Sequence, residues 1–301
     1  MPLFLEASHH LTKVRIIIII GAGAWGLFWI PLRALGESGI SPAWSTILFY
    51  LIPTILMLPI GIYRWKKIKD NAKNLLLIGF FFGLGMAFYA NAYFFTDVVR
   101  VLLLYYLLPV WGTILGRIFL SESITLPRIF AILLGFMGVL VIFGIGETMP
   151  WPRNMGDWMA LSAAILWAIG SLLANKDENN HALDTTFSFF IWATLASLFL
   201  LIFPDLNNQV DIKLDIIFEV IPWLTLVALL LIIPTCTICI WGAGILTPGS
   251  LGVLYLSEIS VGVIGATILT EEIFGIREFI GVVLISSAAL CEALGHRTKK
   301  I

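Results

Sequence analysis

The chain has 301 residues, of which 59% are hydrophobic and only 12% are charged. Its mean hydropathy is +0.99, and a soluble domain carries roughly twice this share of charged residues. These values exclude an ordinary soluble enzyme and a disordered chain. The formal net charge of −1 supplies no electrostatic field that would attract a nucleic acid. The composition therefore predicts a polytopic membrane protein.

Ten apolar runs are each long enough to cross roughly 30 Å of hydrocarbon as a helix. Helices are expected because lipid cannot satisfy unpaired backbone groups, and no run alternates as a barrel strand does. The runs occupy residues 14–35, 43–63, 75–95, 98–119, 126–145, 157–174, 185–203, 217–241, 249–270 and 275–294. We therefore predict an all-α fold with ten transmembrane helices.

The basic residues between the runs orient the chain, because cytoplasmic loops are enriched in lysine and arginine. With the N-terminus inside, the cytoplasmic side collects Lys13, Arg15, Arg64, Lys66, Lys67, Lys69, Lys73, Arg117, Arg128, Lys176, Arg297, Lys299 and Lys300. The opposite side collects only Arg153, Lys213 and Arg277. Both termini are therefore predicted to be cytoplasmic, in agreement with an even number of spans.

The chain also contains an internal duplication at a shift of 150 residues. The matched pairs are Tyr105 with Tyr255, Gly112 with Gly262, Gly116 with Ala266, and Glu122 with Glu272. A looser shift places Trp25 on Trp167. We predict a first five-helix repeat over 14–145, a linker over 146–156 and a second repeat over 157–294. Because five is odd, the second repeat is inverted, which favours a secondary transporter that works by alternating access.

Several short motifs resemble those of EamA-type members of the drug/metabolite transporter superfamily. They are Trp25-Gly26, the stretch from Leu107-Leu108-Pro109-Val110-Trp111 to Leu120-Ser121-Glu122, and Glu258-Ile259. Ser121 replaces the usual glycine, and Ile259 stands where a proline is frequent. The resemblance implies ten helices in two inverted repeats and movement of small metabolites, often outward. It also implies a cavity between the first, third, fourth, sixth, eighth and ninth helices.

Charged residues within or near a span are costly in lipid and are therefore functional candidates. Glu258 is expected either to bind a substrate ammonium or exchange a proton, or to serve helix packing through a bond to a neighbouring serine or the backbone. Arg100 follows Asp97 by one helical turn and either pairs with it or binds a substrate anion. Arg33 either reaches the lipid headgroups or joins Arg100 in an outer vestibule.

Deep aromatic side chains form a second group of candidates, because they stack on substrates and cage cations. Core packing is the alternative role for each of them. The group comprises Trp25, Trp29, Tyr89, Tyr93, Tyr105, Tyr106, Trp111, Trp167 and Tyr255, together with the amide of Asn91.

Small residues and one proline are predicted to form packing and hinge surfaces, since they allow helices to approach closely. These residues are Pro109, Gly112, Gly116, Gly262 and Ala266. In the two matched hairpins, Glu122 and Glu272 are expected to cap helices or to pair with Arg128 and Arg277.

The leading hypothesis is a plasma-membrane (bacterial inner-membrane) transporter that exports or exchanges an amino acid or another zwitterion. The alternatives are an exporter of cationic amphiphilic drugs and, in a different class, an integral-membrane enzyme. No catalytic or metal-binding cluster and no cofactor motif appears in the sequence, so we expect neither enzymatic activity nor a cofactor. The expected partners are the small-molecule substrate, the bilayer and a proton or counter-substrate, with the chain as monomer or homodimer.

Overall fold

The computed structural model describes residues 2–143, 151–202, 214–269 and 275–295, and all regular structure in these ranges is helical. The helices are α1 (Pro2–Trp25), α2 (Trp29–Glu37), α3 (Pro42–Tyr63), α4 (Trp65–Asp70), α5 (Ala72–Ala92), α6 (Val98–Tyr105), α7 (Leu108–Phe119), α8 (Leu126–Phe143), α9 (Met155–Lys176), α10 (Ala182–Leu200), α11 (Leu214–Val227), α12 (Ile233–Ala243), α13 (Pro248–Tyr255), α14 (Ser257–Leu269) and α15 (Ile276–Gly295). A single π-helical turn, Ala228–Ile232, joins α11 to α12.

Within the described ranges, eight segments are long and apolar enough to cross a membrane. They are Leu11–Glu37, Pro42–Tyr63, Ala72–Ala92, Arg100–Phe119, Met155–Lys176, Ala182–Leu200, Asp215–Ala243 and Pro248–Leu269. The other two predicted runs are also helices, but they differ from the eight. The apolar part of α8, Leu126–Ile142, is shorter, and α15 carries Arg277, Glu278 and Glu292.

The two shorter-run helices, α8 and α15, pack closely against each other through glycines. A Cβ added to Gly138 would lie 2.8 Å from the Gly281 carbonyl oxygen, and one added to Gly281 would lie 2.9 Å from that of Gly138. Backbone contact of this kind requires glycine on both sides. The pair therefore forms one compact unit of the bundle.

Three of the predicted spans are interrupted near their middles. A turn over Gly26–Phe28 separates α1 from α2, Tyr106 and Leu107 separate α6 from α7, and Leu256 separates α13 from α14. Pro109 explains the second break, because proline has no N–H to continue the helical ladder. The third break occurs without a proline at Ile259, so the two duplicated helices are interrupted at equivalent positions.

The break in the first span brings two segments of backbone together. A Cβ on Gly26 would lie only 2.2 Å from the Glu258 carbonyl oxygen, so only glycine fits there. The start of α14 is thus held against the α1–α2 turn, and this contact positions Glu258.

Two predictions fall partly or wholly on residues outside the described ranges. The predicted linker 146–156 is described only from 151 onward, and Glu272 is not described.

Candidate functional site

A cavity of about 380 Å³ lies where the α1–α2 break meets α3, α5, α6 and α14. This volume is within the range of small-molecule sites, about 300–1,000 Å³. Its wall is largely aromatic, and the aromatic lining residues are Trp25, Phe28, Trp29, Phe49, Tyr50, Tyr89, Tyr93 and Tyr106. The wall can therefore contact a flat or apolar molecule over most of its surface.

Among the described residues that line the cavity, Glu258 is the single acidic one, and none is a lysine, arginine or histidine. Tyr106 lines the same cavity, beside the Glu258 carboxylate. The neighbouring serines have other partners: Ser257 donates to the carbonyls of Leu254 and Ile19, and Ser260 pairs with Ser286. Glu258 therefore faces a cavity and is not bonded to its neighbouring serines. A bond to one of these serines was part of the packing role considered from the sequence.

A second, much smaller void of about 10 Å³ adjoins the same carboxylate, and its volume is at the lower limit for a single water molecule. Trp25 and Glu258 line both spaces, while Tyr105, Trp167 and Tyr255 line only the small one. Glu258 thus lies at the boundary between a large aromatic cavity and a compact void.

The aromatic rings around these spaces contact one another. Trp25 stacks on Phe28 with ring centroids 5.0 Å apart, and it meets Trp167 edge-on at 5.5 Å. The Tyr89 and Tyr105 rings lie 4.2 Å apart. Such a lining suits cation–π contacts with an organic cation, and the carboxylate supplies its counter-charge.

Arg100 pairs with Asp157 of α9. Its Nη2 lies 2.5 Å from Asp157 Oδ2, and a further N–H donates to the Trp151 carbonyl. Asp157 is fully buried and also accepts bonds from Thr96 and from the Arg153 backbone N–H. The pairing with Asp97 that the sequence suggested is therefore wrong, and Arg100 does not line the cavity.

Three further candidates also lie away from the cavity wall. Arg33 forms an exposed ion pair with Glu37, with 2.8 Å between Nε and Oε1. Asn91 is buried and donates to the Ala87 carbonyl within its own helix. Trp111 packs against the hydrophobic core. The structure thus brings together nine of the thirteen candidate binding residues, in one or the other of the two spaces, and leaves out these three and Arg100.

The predicted packing residues lie at helix contacts or breaks. Gly112 touches α13, Gly262 touches the α1–α2 turn, and Pro109 follows the break between α6 and α7. Gly116 lies beside Glu122. The Glu122 carboxylate pairs with Arg128, which is one of the two roles expected for it from the sequence. Ala266 belongs to α14.

Sequence reasoning missed the contribution of α3 and part of α5. Thr46, Phe49 and Tyr50 of α3 and Met86 of α5 line the cavity, although we expected no lining from the second helix. In the sequence these residues lie in uninterrupted apolar runs and look like ordinary core residues. The residues that were found carry a charge, have a repeat partner, or are tryptophans and tyrosines of other spans, and no such feature distinguishes Thr46, Phe49 or Met86.

Comparison with known proteins finds similarity to membrane transporters. Residues 12–144 match the EamA-like transporter family. A solved crystal structure with 18% sequence identity has a TM-score of 0.70, and the match covers 97% of this chain and 99% of that one. At this identity the likeness concerns the fold alone.

Three curated relatives come from Bacillus subtilis (strain 168). "Uncharacterized transporter YoaV" is 25% identical over 54% of this chain and 58% of its own length. YxxF, also named a transporter, is 29% identical over 42% of each chain, and YvbV is 26% identical over 64% of this chain and 62% of its own. The matches span less than two thirds of these relatives. The family match over residues 12–144 and the transporter names of these relatives are consistent with an EamA-type transporter of the drug/metabolite transporter superfamily, and the apolar helices are consistent with a multi-pass protein of the bacterial plasma membrane.

Proposed function

We propose that this protein is a secondary transporter of small amphiphilic organic cations that binds its substrate between Glu258 and the aromatic wall. The observation that carries the proposal is the cavity of about 380 Å³, whose described lining residues include a single acidic residue and no basic residue. A carboxylate in an apolar wall attracts an ammonium group and leaves a substrate carboxylate without a partner. The proposal therefore assigns this cavity to substrate binding during transport.

The mechanism that we propose is alternating access between two inverted five-helix repeats, 14–145 and 157–294. The proposal includes α8 and α15 as the fifth and tenth membrane crossings and cytoplasmic termini. Two features support it. The interrupted helices meet at the cavity, as is typical of transporter sites near the midplane, and two of the three interruptions, those in the fourth and ninth spans, fall at equivalent positions of the repeats.

The cavity occupies the half of the bundle away from the cytoplasmic side in this orientation. It is lined by the end of α5, the starts of α3 and α6, and the α1–α2 turn. With the N-terminus inside, all of these segments lie toward the outer surface. We therefore assign this conformation as outward-facing, with the binding site on the outer side of the membrane. Export or exchange of the substrate is completed from this state.

A zwitterion such as an amino acid is the second candidate substrate. It is favoured by Trp29, which lines the cavity and whose indole N–H is buried without a hydrogen-bond partner among the described atoms. This donor is suited to a carboxylate. The two candidates differ in one respect: a zwitterion needs such a donor in addition to Glu258, whereas a cation needs only the carboxylate and the rings.

The test is counterflow in proteoliposomes with a panel of cationic, zwitterionic and anionic solutes and no imposed ion gradient. We expect counterflow of amphiphilic cations and its loss in Glu258→Gln. Glu219→Gln is the matched control, since Glu219 also lies in an apolar helix, is exposed and does not line the cavity. Counterflow of zwitterions alone would overturn the cation assignment, and an unaffected Glu258→Gln protein would overturn the site.

The same variant addresses coupling to protons. If Glu258 served only to carry a proton, Glu258→Gln would abolish flux driven by a pH gradient while counterflow survived, and this result would contradict the binding role proposed above. Loss of both activities identifies the carboxylate as a binding group for the substrate.

A further inference from the structure

The side of the bundle away from the cavity is closed by direct backbone contact between α7 and α13. A Cβ added to Gly112 would lie 2.4 Å from the Pro248 carbonyl oxygen, and one added to Gly252 would lie 2.6 Å from Pro109 Cα. Backbone atoms cannot rotate out of the way, so both glycines are required for this approach. We call this α7–α13 contact the inner seam.

A buried charge network lies beside the inner seam. Arg128 of α8 pairs with Glu122 of the preceding loop and, at 2.9 Å, with Glu292 of α15. Only 1% of Arg128 and 2% of Glu292 are exposed. The Thr247 hydroxyl, just before α13, donates to Glu122 at 2.7 Å. The network therefore links the loop after α7, the start of α13 and the α8–α15 unit.

The network also touches the seam and the first helix. A Cβ on Gly249 would lie 2.9 Å from Arg128 Nη1, so the guanidinium packs on the backbone of α13. Arg15 of α1 donates to the Ala293 carbonyl, one residue from Glu292. Buried charges are tolerated in this form because each has a partner, and separating them leaves a charge unpaired.

The internal repeat relates the inner seam to the cavity. A shift of 150 residues takes the two seam pairs to Gly262 with Val98 and to Ile259 with Leu102. All four of these residues line the cavity. One contact between the repeats is therefore closed on the inner side, while its equivalent on the outer side is held apart.

The charge network has no such equivalent in the sequence. The same shift takes Glu122 to Glu272 and Arg128 to Glu278, and in the reverse direction Glu292 corresponds to Ile142. A basic residue is lacking from this second set, so it cannot form the same pairs. The network is thus a device of the inner side alone.

We propose that Arg128, Glu122 and Glu292 form a latch. Their ion pairs hold the inner seam closed while the cavity faces the outer side of the membrane. This inference rests on the alternating-access mechanism and orientation proposed above. When the latch separates, α13 leaves α7 on the inner side, and the equivalent outer pairs approach across the cavity. These three charged residues determine the side of the membrane from which a substrate can reach the site, and none of them lines the cavity.

The test measures access to Thr113, a buried α7 residue whose side chain faces Gly249 across the seam. Thr113→Cys is placed in a background in which Cys236, Cys239 and Cys291 are alanine. Inside-out membrane vesicles are then treated with a membrane-impermeant maleimide. We expect Glu292→Gln to increase the rate of labelling by about tenfold, since losing one buried partner shifts a two-state equilibrium by an amount typical of coupling between sites.

Asp184→Asn is the matched control. Asp184 is buried and pairs with Arg64, but this pair joins the end of α3 to α10 at a distance from the seam. Unchanged labelling in Glu292→Gln, or an equal increase in both variants, would overturn the latch. If Glu292→Gln does not reach the membrane, Glu122→Gln provides the same test, because Glu122 lies in a loop and is less buried.

A second readout tests the coupling between the two sides. Leu102 and Ile259 are both replaced by cysteine, and a short bifunctional thiol reagent is added. We expect more cross-linking between these two positions when Glu292→Gln is also present. Increased labelling at position 113 without increased cross-linking would mean that the network is only local packing, and this result would contradict the latch. Neither readout needs a substrate, so failure of the cation assignment in counterflow leaves this test intact.

Discussion

Ser121 has a backbone φ of 53°, in the left-handed region that glycine occupies without strain. It lies in the loop between α7 and α8, where EamA-type proteins usually carry glycine. A non-glycine residue in this region costs about 1–2 kcal/mol. We therefore expect Ser121→Gly to raise the free energy of unfolding by about 1 kcal/mol, measured by thermal unfolding in detergent.

The adjacent loop residue Ser123 gives the control for this prediction. Its φ is not positive, so glycine there adds freedom to the unfolded chain without relieving strain. We expect Ser123→Gly to lower the melting temperature slightly. A lower melting temperature for Ser121→Gly as well would show that the serine side chain contributes more than the backbone strain costs.

Asp157 is the residue on which the Arg100 interactions depend. It is fully buried and accepts bonds from Arg100, Thr96 and the Arg153 backbone. Asp157→Asn removes the charge opposite a partly buried arginine, and we expect it to lower the free energy of unfolding by about 2 kcal/mol. Binding in the cavity should be unchanged, because Asp157 is not a lining residue.

Asp97→Asn is the control, since Asp97 is exposed and lies close in sequence to the same arginine. We expect its effect to stay within about 0.5 kcal/mol, as for most surface substitutions. Equal losses of stability in the two variants would contradict the assignment of Asp157 as the partner of Arg100.

At the scale of elements, the close approach of α7 to α13 depends on the absence of a side chain at Gly252. Gly252→Ala would place a Cβ 2.6 Å from Pro109 Cα and 2.8 Å from Pro109 N, both of which are backbone atoms. Overpacking of this kind costs about 1–3 kcal/mol. We therefore expect a lower melting temperature for Gly252→Ala, together with faster labelling of Thr113→Cys from the inner side.

The control for this prediction is Gly36→Ala in α2, where an added Cβ meets no atom within 4 Å. Alanine favours the helix there by roughly 0.5–1 kcal/mol, so stability should rise. If both variants were equally stable, α7 and α13 would have to adjust more easily than the backbone contacts indicate.

Hydropathy and charge predicted the helices well, because the cost of placing polar groups in lipid acts on each segment separately. The ten predicted runs correspond to helices, and the α6–α7 and α13–α14 breaks lie beside Tyr105 and Tyr255, two residues that the proposed repeat matches. Pro109 gave a local reason for the first of these breaks. The second break has no proline, and the sequence did not predict it.

The site was only partly predictable, because its pairings join distant parts of the chain. Arg100 and Asp157 are 57 positions apart, and nothing local marks them as partners. Tyr106 and Glu258 were both candidates, but their proximity in the cavity depends on two helix breaks meeting. The α3 side chains Phe49 and Tyr50 carry no local signal at all, since aromatic residues in an apolar run are usually core.

At the scale of the whole molecule, the basic residues predict the orientation on which the assignment of inner and outer sides rests. We expect a green fluorescent protein fused after Ile301 to be fluorescent in bacteria, and alkaline phosphatase fused at the same position to be inactive. Both results follow from a cytoplasmic C-terminus, since each reporter matures on one side of the membrane only. Active phosphatase would reverse the orientation and exchange the inner and outer assignments.

The closed inner seam, with its buried charges, also has a kinetic consequence. If separating the buried charges is costly, most molecules without substrate adopt the conformation in which the site faces the outer side. A substrate arriving from the cytoplasm then meets few competent molecules, and its apparent dissociation constant is weakened by that small fraction. The half-saturating concentration should therefore be lower for outside substrate than for inside substrate, so that the two faces of one carrier behave as a tight and a weak receptor for the same solute.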